Sequence, residues 1–124
     1  MAVKRINLKE HLGNKYISVV SLERPTPETM NKTNNEVEKL LKENNCNKVL
    51  VDTTPIKYLP SLTGVYNLGV DTAGLDTIRS GRMAFIVSEK TTELVKFLST
   101  VAHNRGLNIS LFTNKDDAKD WLFS

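Results

Sequence analysis

Cysteine is almost absent from this chain. The one thiol, Cys46, has no second cysteine to pair with, which excludes an internal disulfide and a Cys-x-x-Cys redox or zinc site and suits a reducing compartment. Aromatic residues make up only 6% of the chain, and they do not interleave with basic ones as a nucleic-acid surface would need. The two histidines, His11 and His103, stand without further ligands at metal-binding spacing. No apolar run approaches the length of a membrane span. The opening MAVKRINLKEHLG carries basic residues but no apolar segment behind them, so it does not read as a signal peptide. Gly-rich phosphate loops and nucleophile elbows are missing too. Together these absences predict a cytoplasmic protein with neither metal nor cofactor, and no enzyme.

The net charge is +3 at neutral pH. Its carriers, among them Lys4, Arg5, Lys9, Lys39, Lys42, Arg79, Arg82, Lys96 and Arg105, are scattered along the chain. A small scattered excess favours solubility over binding to a phosphate backbone, and nucleic acid is not an expected partner.

What is present is an alternation of strands and helices. The 124 residues, 40% apolar and 25% charged, suit one domain over residues 1–124 with its own core. Residues 3–10 and 16–22 read as strands joined at Gly13-Asn14, an antiparallel hairpin. Thr26 and Pro27 open a first helix whose apolar stripe includes Met30, Thr33, Val37, Leu40 and Leu41, and Asn44-Asn45 ends it. Residues 48–52, KVLVD, suit a strand covered on both faces.

A second helix follows, with Leu62, Val65, Tyr66, Gly69 and Ala73 on its buried face. Gly69 there predicts close packing against the sheet, and Gly74 closes the helix. Residues 75–81 read as a connector and 82–87 as a strand. The third helix is capped at Thr91 or Thr92 and stopped by Gly106, and 107–113 form the last strand. Asn114 caps a terminal helix that turns Ala118, Trp121 and Leu122 inward. The predicted order is β-β-α-β-α-β-α-β-α: an α/β fold with a single mixed, mostly parallel sheet of about five strands, and four helices.

Two stretches carry a resemblance. VLVDTTPIKYLPSLTGVYNLG and RMAFIVSEKTTELVKFLSTVAHNRGLNISLFTNKDDAKDWL resemble the STAS-domain superfamily, in particular its SpoIIAA-like, anti-sigma-factor antagonist-like members. The resemblance covers most of the chain. It implies a SpoIIAA-like fold and a phosphorylatable Ser or Thr ahead of a Gly at a helix start. Thr63-Gly64 matches that pair, with Ser61 nearby, while the acidic residue and second hydroxyl of the family's Asp-Ser-Ser-Gly or Asp-Ser-Thr-Gly run are out of register.

The stretch from Lys48 to Tyr66 is where function is expected, because ligands of open α/β sheets sit outside the carboxyl ends of the strands. A phosphate on Ser61 or Thr63 would meet free N–H groups at the positive end of a helix, whereas the plain reading makes Ser61 a cap. Asp52 suits an Asx-type bond into its turn, and Thr53 and Thr54 suit similar bonds. Asp71, Asp76, Arg79 and Arg82 suggest surface salt bridges, since nothing in their spacing forces convergence. The leading expectation is a regulatory interaction module that binds a protein partner through residues 53–66, with Asp52, Thr53, Thr54, Tyr58, Leu62, Gly64 and Tyr66 on the contact surface. The alternative is a small-ligand or lipid-binding module, SEC14-like, using the crevice between the second and third helices. A cavity lined by Tyr58, Leu59, Tyr66 and Phe97 would favour that alternative. Homodimerisation through a sheet edge or apolar helix face is left open.

Overall fold

The computed structural model describes residues 5–124, so the first residues of the predicted opening strand lie outside the described part. A hairpin of β1 (Ile6–His11) and β2 (Asn14–Val20) leads into α1 (Pro27–Asn44), β3 (Lys48–Asp52) and α2 (Leu62–Ala73). After these come α3 (Asp76–Ser80), β4 (Arg82–Ile86), α4 (Thr92–His103), β5 (Ile109–Phe112) and α5 (Lys115–Leu122). One five-stranded sheet runs in the order β1-β2-β3-β4-β5. Strand β1 is antiparallel to β2, and every other neighbouring pair is parallel.

The strand order never reverses, and that decides where the helices go. Right-handed crossovers that all step in one direction place their helices on one face. Ile17, Val49 and Met83 are register neighbours there, as are Val19, Val51 and Phe85. Val37 and Leu41 of α1, Val65 and Leu68 of α2, Ile78 of α3 and Val95 and Leu98 of α4 pack on this face to form the main core. The opposite face has only α5, whose Ala118 and Leu122 cover Tyr16, Leu50, Ala84 and Ile86, with Trp121 half-buried beside them. Strand β3 is therefore covered on both sides, as its apolar run requires.

The helix ends follow local chemistry. Thr26 and Thr29 form a reciprocal capping box, with Pro27 in the first turn. Asn45 closes α1 at φ 57°, and the Cys46 N–H returns to the Leu41 carbonyl. The hairpin turn is made by Leu12 and Gly13, one residue earlier than Gly13-Asn14, because His11 pairs with Asn14.

Other sequence expectations are corrected or refined. The connector 75–81 contains a fifth helix, α3, whose N-cap Leu75 offers no side-chain acceptor. Glu38 of α1 supplies it from outside: its carboxylate accepts the Thr77 N–H at 3.0 Å and the Ile78 N–H at 2.9 Å. Gly69 packs closely, but against α4 and not the sheet; an added Cβ would lie 2.8 Å from Val101 Cγ1. Thr91 holds the expected N-cap position of α4, but its side chain accepts no N–H of that helix. Its hydroxyl accepts the Ser88 N–H, while Ser88 Oγ accepts the Thr91 N–H.

Candidate functional site

The segment from Asp52 to Tyr66 leaves the carboxyl end of β3 as a loop and enters α2. Asp52 Oδ1 accepts the Thr54 N–H at 2.9 Å and the Thr54 hydroxyl at 2.7 Å, an Asx turn that redirects the chain. Thr53 points the other way. It continues the alternation of Val49 and Val51, so its side chain lies under the helices, 4% exposed, with its hydroxyl 2.7 Å from the Ile86 carbonyl and 2.9 Å from Thr91 Oγ1. This hydroxyl contact ties the loop after β3 to the one after β4. Thr53 is a structural tie and not part of an exposed contact surface.

Further along, the Lys57 and Tyr58 N–H groups both donate to the Glu23 carbonyl, while Lys57 Nζ lies 3.3 Å from Glu23 Oε1. Ile56 is buried beneath them. Ser61 caps α2 by accepting the Gly64 N–H at 3.1 Å. Gly64 is buried as well, because α2 begins against the start of α1; a Cβ there would lie 2.7 Å from Pro27 Cγ. It too leaves the expected contact surface. Ser61 and Thr63 are both exposed.

The outward residues are apolar. Tyr58 is 52% exposed, Leu59 48%, Leu62 61% and Tyr66 44%. Leu62 and Tyr66 are four apart on α2 and so share one helix face, which points outward and not into the core as expected. Two residues from distant segments join them. The Arg24 guanidinium lies 3.9 Å from the centre of the Tyr58 ring. Arg105, beyond the end of α4, donates from Nη2 to Tyr66 Oη at 3.0 Å, with its guanidinium carbon 5.8 Å from the ring centre. Neither arginine was singled out for this surface on sequence grounds. Arg105 lies 39 residues from Tyr66, and no local pattern announces such a contact.

Tyr58, Leu59, Tyr66 and Phe97 do not line a common cavity. Phe97 packs half-buried against the main core. At Gly69 the helices α2 and α4 meet closely, against Val101 and Leu98. A cavity of about 380 Å³ lies between the sheet and the helices above it, walled by Val19, Met30 and Phe85 together with Leu68 of α2 and Leu94 of α4, with Thr33 and Asn34 among its polar residues.

The other candidates disperse. Asp71 accepts a hydrogen bond from Asn31, Asp76 pairs with Arg79, and Arg82 donates to the Trp121 carbonyl and Ser124 hydroxyl at the far end of the molecule. His11 stacks on Phe123 and lies 3.9 Å from Asp120. Burial raises the Cys46 thiol above its ordinary pKa, and desolvation lowers that of Lys48. Among the described residues no group of three His, Cys, Asp or Glu side chains could hold a metal, and no helix is long and apolar enough to cross a membrane.

No protein-family model matches the chain, and no curated protein matches it in sequence. Among solved structures, an uncharacterised protein of the DUF3478 family with a SpoIIAA-like fold, from Shewanella loihica PV-4, matches it with a TM-score of 0.65, over 98% of both chains at 21% identity. The fold is SpoIIAA-like. At that identity the likeness concerns the fold alone.

Proposed function

We propose that the chain is a non-enzymatic regulatory module that binds a protein partner through the surface of Tyr58, Leu59, Leu62 and Tyr66. One observation carries this reading. Four of the six large hydrophobic side chains exposed among the described residues fall within nine residues of sequence, at one loop and one helix start. Exposed apolar residues scattered singly along a chain need no explanation, but a concentration of them in one short segment suits a contact surface. Ser61 and Thr63 border it, so a phosphate on either would bring negative charge to its edge. A photo-crosslinking residue at position 62, expressed in the source cells, should give one adduct of defined mass. The adduct should vanish with Tyr66→Ala and be missing when the crosslinker stands at exposed Leu12. Equal labelling at both positions would refute the reading.

A second reading is supported by the cavity, whose volume of about 380 Å³ falls in the range of small-molecule sites and whose walls are mainly apolar. Under that reading the ligand is a small apolar or lipid-like molecule held between the sheet and the helices. Mass spectrometry of the purified protein discriminates: a mass excess seen under native conditions and lost on denaturation supports it. Identical masses would remove it.

A further inference from the structure

We infer that the segment recognised at the Tyr58–Tyr66 surface carries carboxylates beside its apolar anchors; this rests on the interaction reading above and specifies the partner's chemistry. The argument comes from the arginines. The chain has five. Arg5 donates to the Ser21 carbonyl, Arg79 to Asp76 and the Ala73 carbonyl, and Arg82 to Trp121 and Ser124. These three are committed to the protein's own acceptors. Arg24 and Arg105 are bound only to tyrosines of the patch, Arg24 over the Tyr58 ring and Arg105 by one hydrogen bond to the Tyr66 hydroxyl; each is exposed, and among the described residues neither is within ion-pair distance of a carboxylate.

A guanidinium near an aromatic ring is held by the ring quadrupole while its N–H donors remain available at its edge. That edge matches the two oxygens of a carboxylate, with which arginine forms paired, charge-assisted hydrogen bonds. Lys57, the other cation beside the patch, already has Glu23. The unmet charge at this surface is therefore positive and sits by the two tyrosines that bracket Leu59 and Leu62 in the sequence. Tyrosine and arginine are enriched among the interface residues that carry most of a binding energy. A nucleic acid would need a longer cationic track to follow its phosphates, and would leave the two leucines uncovered. An acidic, apolar protein segment satisfies both features.

The test uses a displayed random-peptide library selected against the full chain, with enriched peptides then synthesised. Peptides that depend on Leu62, and are lost on Leu62→Asp, should carry Asp or Glu next to aromatic or aliphatic residues. Their affinity should fall about tenfold or more with Arg24→Glu or Arg105→Glu, and peptides with lysine in place of the acids should recover binding to the charge-reversed protein. Tyr66→Phe, which keeps the ring and loses the bond to Arg105, should weaken binding less than Arg105→Glu. Leu62-dependent peptides without acidic enrichment would overturn the chemistry and leave the interaction reading standing. No Leu62-dependent peptide at all would overturn both. Tighter arginine-dependent binding to phosphatidylserine-containing vesicles, or to single-stranded oligonucleotide, would overturn the assignment to a protein segment.

Discussion

Removing the carboxylate of Glu38 tests whether α3 is held by a cap from another helix. Glu38 lies on α1 with its side chain 9% exposed, accepts the Thr77 and Ile78 N–H groups, and has Lys42 Nζ 3.5 Å away. Hydrogen bonds to a charged acceptor contribute about 1.5–3 kcal/mol each and are not additive when they share one group. Glu38→Ala should therefore cost about 2–4 kcal/mol, a large part of the roughly 5–15 kcal/mol that holds a domain together. Glu38→Gln keeps one acceptor oxygen and should cost about half as much. Burial alone would raise the Glu38 pKa, but the Thr77 and Ile78 N–H groups, the Thr77 hydroxyl and Lys42 outweigh it and hold the carboxyl below its ordinary 4.5. A depressed folded-state pKa gives stability that is present above the unfolded value and lost as pH falls through the folded one. Urea unfolding followed by Trp121 fluorescence, on the sheet face away from α3, reads the global transition. The wild type should lose stability as the pH drops below about 4.5, and Glu38→Gln should lose less over the same window. A Glu38→Ala protein within about 0.5 kcal/mol of wild type, or identical pH slopes for wild type and Glu38→Gln, would refute the reasoning.

Gly69→Ala should destabilise by about 1–3 kcal/mol despite alanine's better helix propensity, because its Cβ would meet Val101. Val101→Ala in the same chain should recover part of the loss in a thermal melt. Ser61→Ala should cost about 1 kcal/mol as a lost N-cap, while exposed Thr63→Ala stays within about 0.5 kcal/mol. Leu12, at φ 51° and 89% exposed, has an opposite expectation. Leu12→Asn should raise stability by about 0.5–1 kcal/mol in urea unfolding, since asparagine tolerates the left-handed region. Thr91→Val removes the hydroxyl that meets Thr53 and Ser88 and should cost about 1–3 kcal/mol, read by the same unfolding curves.

Much of the architecture was legible because it is written in short-range patterns. The caps at Thr26, Ser61 and Asn114 each act on a backbone N–H three residues on, so adjacent letters are enough to find them. The same holds for the Asx turn of Asp52 onto Thr54. Thr53 was misplaced although its signal was available: in VLVDT the inward positions are Val49, Val51 and Thr53, and a strand's alternation does not stop where its hydrogen bonds do. Helix α3 was missed for a different reason. Its cap acceptor, Glu38, is 39 residues away from Thr77 in the chain, and the local text has only Leu75 to offer.

What the carboxyl edge of the sheet looks like follows from strand order. Ligand crevices open in α/β sheets where the order reverses and successive helices part to opposite faces. Here the parallel strands advance in one direction, so α1, α2 and α4 all pack on the same face and Gly69 draws α2 onto α4. No reversal exists to part them. The loop after β3 is then held at both ends, by Thr53 under α4 and by Ser61 at the start of α2, with the Glu23 carbonyl clasping its middle. Its inward side chains are taken up by the core, and its remaining apolar residues have nowhere to go but outward. The edge therefore presents a projecting apolar surface, with Arg24 and Arg105 lying against its tyrosines.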